Sequence, residues 1–231
     1  MSHVSCIIPA FNAERYLAAA VASVLAQTRA AVEILVVDDG STDATAAVAE
    51  SLGAPVRVLR QANAGPAAAR NHGVQASSGE LLAFLDADDL WEPTKLAMQI
   101  ERFEARPELD FTVTMLRNFV SEELAHRSLR DPRLLEPIPG FSLSTLVVRR
   151  ASFDRIGFFD AERGHTDDTE WLMRAREVGA QHELLPGVLV RRRLHDANRS
   201  QQLGGDSRQE YLHLIKAMLD RRRSRSSDAT S

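Results

Sequence analysis

Leu81-Leu82-Ala83-Phe84-Leu85, followed at once by Asp86-Ala87-Asp88-Asp89, is the stretch on which the fold turns. Five apolar residues in succession read as a strand buried on both faces, the pattern of a parallel sheet covered by helices. Three carboxylates in the next four positions then stand at the carboxyl end of that strand, where open α/β sheets bind their ligands. Two readings compete there. One is a hard-metal site built from oxygen ligands; the other is a solvated turn that caps the helix marked by Leu96, Ile100 and Phe103.

The same strand-then-helix unit recurs upstream. Residues 4–8 form a β-rich run stopped by Pro9, and Asn12 offers an N-cap for a helix with Leu17, Val21 and Val24 on one face. Residues 34–37 make a second buried strand, which leads into Asp38-Asp39-Gly40-Ser41-Thr42-Asp43 and an alanine-rich helix that ends near Gly53. Here Ser41 can cap the helix and Gly40 permits close backbone approach. Adjacent carboxylates at 38 and 39 serve either turn chemistry or hydrogen bonds from a base or ribose. Residues 56–59 are a third strand, and Pro66 opens the next helix, with Arg70 one turn in and Asn71 beside it. A cation near a helix N-terminus runs against the dipole, so Arg70 calls for an anion or carboxylate partner unless it is a plain surface residue.

Downstream the pattern is looser. Residues 111–115 alternate as a strand, whereas 121–139 is polar, carries Pro132, Pro137 and Pro139, and reads as a long irregular segment of the kind that serves function. A strand over 145–148 precedes Arg149 and Arg150, and Asp167-Asp168 open a helix expected to bury Trp171, Leu172, Ala175 and Val178 and to stop at Gly179. Those acids are either dipole-complementing caps or carboxylates placed for base chemistry. A last strand over 188–190 leads into the polar segment Arg191–Ser200, which contains His195. Leu212, Ile215 and Leu219 then share one face of a final helix, and Arg221-Arg222-Arg223 and Arg225 begin a basic tail.

With 231 residues, 44% apolar and 26% charged, the chain suits one large α/β domain of ordinary soluble composition. A net charge of −4 gives no reason to expect nucleic acid as a partner. The single cysteine, Cys6, lies in an apolar run and fits a reducing compartment. The apolar stretch 17–25 lacks a basic n-region and is broken upstream by Pro9, Asn12, Glu14 and Arg15, so neither a signal peptide nor a membrane span is expected. A cytoplasmic protein follows, with weak peripheral membrane contact through the basic C-terminus as a further expectation.

The order of these clusters resembles the inverting family 2 glycosyltransferases of the GT-A fold. Residues 4–42, from Val-Ser-Cys-Ile-Ile-Pro-Ala-Phe-Asn through Val-Val-Asp-Asp-Gly-Ser-Thr, are similar to that family's opening strand and acidic turn, and 63–71 and 79–89 to its next signatures. The resemblance covers about residues 3 to 200. It implies a Rossmann-like, mostly parallel sheet with helices on both faces, and a metal-dependent transfer of one sugar from a nucleotide-diphospho-sugar, a UDP-sugar in the first instance, to an acceptor hydroxyl on a glycan, a lipid-linked glycan, a protein or a small molecule. Carried residue by residue, it implies that Pro9 and Asp39 line the base, that Arg70, Asp86 and His195 approach the donor, and that Asp86, Asp88 and Asp89 hold Mg²⁺ or Mn²⁺, with Asp88 the first choice. Asp168 falls at the catalytic base, preceded by Asp167 where the family usually has Glu. His195, Asn198 and Ser200 match a segment that closes over the donor phosphates, and 121–139 becomes the acceptor-side loop. The implied organisation is a catalytic domain over 1–205, its nucleotide-sugar half about 1–100 and acceptor half about 101–205, then a helix over 206–222 and a tail over 223–231. Other readings are a nucleotidyltransferase acting on a sugar phosphate, against which Pro9-Ala10-Phe11-Asn12 lacks a glycine-rich phosphate loop, and a non-catalytic nucleotide-sugar-binding module.

Overall fold

The structure, a computed structural model, describes residues 3–124, 132–140, 142–163 and 167–196. The expected helix over 206–222, the basic tail, Asn198 and Ser200 lie outside the described residues. The chain runs β1 (Val4–Ala10), α1 (Leu17–Leu25), β2 (Glu33–Asp38), α2 (Thr45–Ser51), β3 (Val56–Arg60), α3 (Pro66–Ala76), β4 (Leu81–Phe84), β5 (Leu90–Trp91), α4 (Lys95–Ala105), β6 (Phe111–Val120), β7 (Ile138–Pro139), β8 (Val147–Arg149), α5 (Arg150–Ile156), α6 (Asp167–Glu177) and β9 (His182–Leu194). Among the described residues no helix is long and apolar enough to cross a membrane.

One sheet carries the strands in the order β3-β2-β1-β4-β8-β6-β9-β5, with β7 on β6. The first four strands are wholly parallel. Beyond β4 the sheet is mixed, since β8 runs against β4 and β6 while β9 follows β6 in parallel over ten residue pairs. The strand pattern follows from side chains that alternate between two apolar layers. Ile34, Val36, Leu81, Ala83 and Leu85 face one core with α1 and α4; Leu35, Val37, Leu82 and Phe84 face the other with α3, α5 and α6. The strand order reverses at β1, which has β2 on one side and β4 on the other. That crevice is a topological switch point, and it positions the site.

Several local expectations are corrected. α1 begins at Leu17 with Tyr16 as its cap, and Asn12 instead takes φ 49 and ties the β1 loop to Thr42. Ser41 accepts from the Asn12 N–H and does not cap α2. Val178 is 40% exposed. The expected strand over 145–148 starts two residues later, after a 3-10 turn at Leu143–Thr145. The largest difference is β9, thirteen residues long, in which Arg191, Arg192 and Arg193 are strand residues paired with β6. Its register slips where Leu185 pairs with Thr114 and Val188 with Met115, so Pro186 and Gly187 form an irregularity within one strand.

Candidate functional site

The carboxyl ends of β1, β2 and β4 build one rim. Asp39, buried at 3% exposure, follows β2, and its N–H donates to the Ala10 carbonyl at 2.8 Å. Its Oδ1 accepts from Gln61 Nε2 at 2.8 Å and Ala64 N at 2.9 Å, and its Oδ2 accepts from Gly65 N at 2.9 Å. Asp39 therefore shapes the 61–65 loop that leads into α3. Gly40 makes this close approach possible, because at φ +76 a Cβ there would lie 2.8 Å from Asn63 N. Gly40→Ala is expected to destabilise the fold by about 2 kcal/mol, read as a lowered urea midpoint; an unchanged midpoint would show that the loop yields freely. Pro9 is buried in β1 opposite Val37, one residue short of the strand's end.

Each acid after β4 has its own environment. Asp86, with a side chain 37% exposed, receives Arg70 Nη2 at 2.7 Å, and that arginine is 8% exposed. Of the two readings for Arg70, a carboxylate partner or a plain surface residue, the structure shows the first. Asp88, 30% exposed, pairs with His195 Nε2 at 2.9 Å. Asp89 faces inward: Ser144 Oγ donates to its Oδ2 at 3.0 Å and Arg193 N to its Oδ1 at 3.0 Å. Burial, then the charges of Asp88 and Asp86, push its carboxyl well above the usual carboxylate range. Ser144 also accepts from Asp86 N at 3.1 Å, so one hydroxyl braces both ends of the turn.

Asp168 sits in the first turn of α6, half-buried, where its Oδ1 accepts from Thr169 N at 2.6 Å. β8 descends against β4, α5 climbs back, and the following loop is tied to α3 by Asn71, whose Nδ2 donates to the Phe159 carbonyl at 2.8 Å and whose Oδ1 accepts from Phe159 N at 3.0 Å. Asn71 neighbours Arg70, so this tie joins the loop before α6 to the helix beneath the acid turn.

Sequence reasoning missed Ser144, Asn71 as the cross-tie, and the grip of loop 61–65 on Asp39. A hydroxyl within Phe141-Ser142-Leu143-Ser144-Thr145 carries no signal of its own. Among the described residues no group of three or more His, Cys, Asp or Glu side chains is arranged to hold a metal ion. The donor set still fits a hard divalent cation, because such an ion on a diphosphate needs only one or two carboxylates and keeps its waters. Asp86 and Asp88 retain open carboxylate surface for that purpose, while both oxygens of Asp89 already accept protein hydrogen bonds.

Residues 5–164 match the family described as glycosyl transferase family 2. An uncharacterized glycosyltransferase of Rickettsia typhi is 31% identical over 214 residues, covering 84% of this chain and 64% of the relative. The Escherichia coli UDP-Glc:alpha-D-GlcNAc-diphosphoundecaprenol beta-1,3-glucosyltransferase WfgD is 46% identical over 99 residues, which is 42% of this chain and 39% of that protein. Among solved structures, S. aureus TarS residues 1–349 superpose with a TM-score of 0.71 at 20% identity, covering 94% of this chain and 64% of that one, and share its fold. TarS has also been solved with UDP and with UDP-GlcNAc. The chain thus spans a little under two thirds of the first relative's length.

Proposed function

Because the chain belongs to glycosyl transferase family 2, we propose that it moves one sugar from a UDP-sugar to an acceptor hydroxyl, with inversion at the anomeric carbon. The observation that carries this reading is the acid turn at the switch point, where Asp86 and Asp88 are part exposed, Asp86 beside Arg70 and Asp88 beside His195. UDP in the TarS complexes and UDP-Glc in the name of WfgD support the donor class. A diphosphoundecaprenol-linked glycan, the acceptor class in the name of WfgD, is the first acceptor to try.

In this reading Pro9 and Asp39 line the base, and the remaining lone-pair capacity of Asp39 takes a hydrogen bond from the ring. Arg70 brings positive charge toward the diphosphate and holds Asp86, and His195 holds Asp88, in place until it arrives. Asp88 first, and Asp86 second, would hold Mg²⁺ or Mn²⁺, which supplies charge to offset that developing on the leaving diphosphate; Asp89 supports them from behind. Asp168 takes the proton from the acceptor hydroxyl as its oxygen attacks the anomeric carbon from the face opposite the diphosphate.

Incubation with a panel of UDP-sugars and polyprenyl-diphosphate glycans, followed by acceptor mass spectrometry, tests the reading. A mass increase of one sugar with release of UDP is the expected result. Release of pyrophosphate from an NTP and a sugar phosphate would make the protein a nucleotidyltransferase, and tight UDP-sugar binding without turnover would make it a binding module. Asp88→Asn should raise the Mn²⁺ concentration for half-maximal turnover by more than the about 10-fold that loss of an outer-shell partner costs. Unchanged Mn²⁺ dependence would move the metal to another acid.

A further inference from the structure

Arg193 has no part in the chemistry above, yet it touches the acid turn and two aromatic rings beside it. Its N–H donates to Asp89 Oδ1 at 3.0 Å and its Nε to the Asp88 carbonyl at 2.9 Å. Its guanidinium carbon lies 4.7 Å from the centroid of the Tyr16 ring and 4.6 Å from that of Phe119. A planar cation held between two rings has little freedom to turn, which aims its Nε. Tyr16 is fixed in its own right. Its hydroxyl donates to Glu123, which also pairs with Arg15 at 2.8 Å, and its ring lies 4.7 Å from that of His195. The Tyr16 hydrogen bond pulls Glu123 down to about 2, while burial and the same bond push Tyr16 up to about 12. Donor and acceptor therefore keep their roles across the working pH range.

Within the turn itself the backbone closes through one hydrogen bond, Asp89 N to the Asp86 carbonyl at 3.0 Å. The rest of the turn's definition comes from Ser144 and Arg193, which also satisfy the buried Asp89 carboxyl. We infer that Arg193 is a positioning residue for donor binding: its side chain, clamped between Tyr16 and Phe119, fixes the Asp88 carbonyl while its main-chain N–H holds the Asp89 carboxyl, so that the Asp88 side chain is presented outward in one geometry. The stack draws on four elements, the acid turn, the start of α1, β6 and β9, so the donor anchor is set by the joining of both halves of the sheet. This rests on reading 86–89 as the donor anchor.

Arg193→Lys keeps the charge and loses the planar, stacked Nε donor. Mn²⁺ binding, followed in the presence of UDP and without sugar transfer, should weaken by about 10- to 100-fold. Donor KM should rise with it, while kcat and acceptor KM stay within about twofold, and backbone amides over 86–90 should exchange faster with deuterium. Tyr16→Phe keeps the ring but loses the Glu123 hydrogen bond that fixes it, so its Mn²⁺ binding should fall between those of the wild type and Arg193→Lys. Tyr16→Leu should resemble Arg193→Lys, and the double variant should be no worse than either. Wild-type Mn²⁺ affinity and exchange in Arg193→Lys would overturn the inference, as would a loss of active fraction with both KM values unchanged, the mark of simple misfolding. Should the wild type itself bind no Mn²⁺ with UDP, the donor-site reading fails, and exchange over 86–90 decides by itself whether Arg193 holds the turn.

Discussion

Asp168→Asn is expected to bind a UDP-sugar as the wild type does and to turn it over about 10²- to 10⁴-fold more slowly. The substitution is suited to isolating base chemistry. In the native structure Asp168 Oδ1 accepts from Thr169 N at 2.6 Å, a bond that an asparagine carbonyl oxygen can accept in its place. The helix behind it is anchored independently, since buried Trp171 donates from Nε1 to the Gly157 carbonyl at 2.9 Å and stacks on Phe153 at 5.6 Å between centroids. Thermal stability and donor affinity should therefore hold while single-turnover transfer collapses. Wild-type turnover in Asp168→Asn would remove this residue from the chemistry. If Asp167→Asn showed the loss instead, the proton acceptor would be one residue earlier, where the family usually has Glu.

The difference between what was and was not legible lies in how far a residue's role depends on its neighbours along the chain. The apolar runs before Pro9, Asp38 and Asp86 revealed the parallel half of the sheet, because a strand buried on both faces is apolar at nearly every position. Pro66 opened α3 as expected, since a proline at the first turn sacrifices no helical hydrogen bond. β9 was legible only as its middle, residues 188–190: Pro186 and Gly187 resemble a break, and Arg191 to Arg193 resemble a solvated exit. In the structure Arg191, still exposed, and Arg193, part buried, lie over the Phe119 ring at 4.7 and 4.6 Å, so an aromatic face from β6 lets the strand continue through cations that local sequence reads as an exit. Asn12 and Ser41 were legible as cap formers but were claimed by each other's loops. The acid residues were visible as a group, whereas their division into two open carboxylates and one buried brace depended on Ser144 and Arg193, 55 and 104 residues away from Asp89.

Lys95, the residue that opens α4, should make stability depend on pH in a way that Lys95→Met abolishes. Its side chain is fully buried, its Nζ sits 4.0 Å from the centroid of the Trp91 ring, and that nitrogen has no hydrogen-bond partner among the described residues. Burial drives its pKa down from 10.5 to about 7, against a small opposing effect from Cys6, whose own thiol is pushed up to about 12 by burial. Below pH 7 the lysine is charged in both folded and unfolded chains, and the full cost of burying an ammonium falls on the folded state. Between pH 7 and 10.5 the unfolded chain still holds the proton that the folded chain has released. The unfolded state then binds more protons, so stability rises with pH across that window, by roughly 5 kcal/mol over its whole width. Methionine fills similar space without a charge, at the loss of a ring contact worth roughly 1 kcal/mol. Lys95→Met should therefore be more stable than the wild type at pH 6 to 7, with the gap narrowing steadily toward pH 10. Urea unfolding of both proteins at pH 6, 8 and 10 measures this, since groups that do not interact with Lys95 cancel in the difference and Cys6 adds only a second-order change near pH 10; two parallel curves would mean that the amine finds a proton acceptor or water in solution and stays charged where it lies.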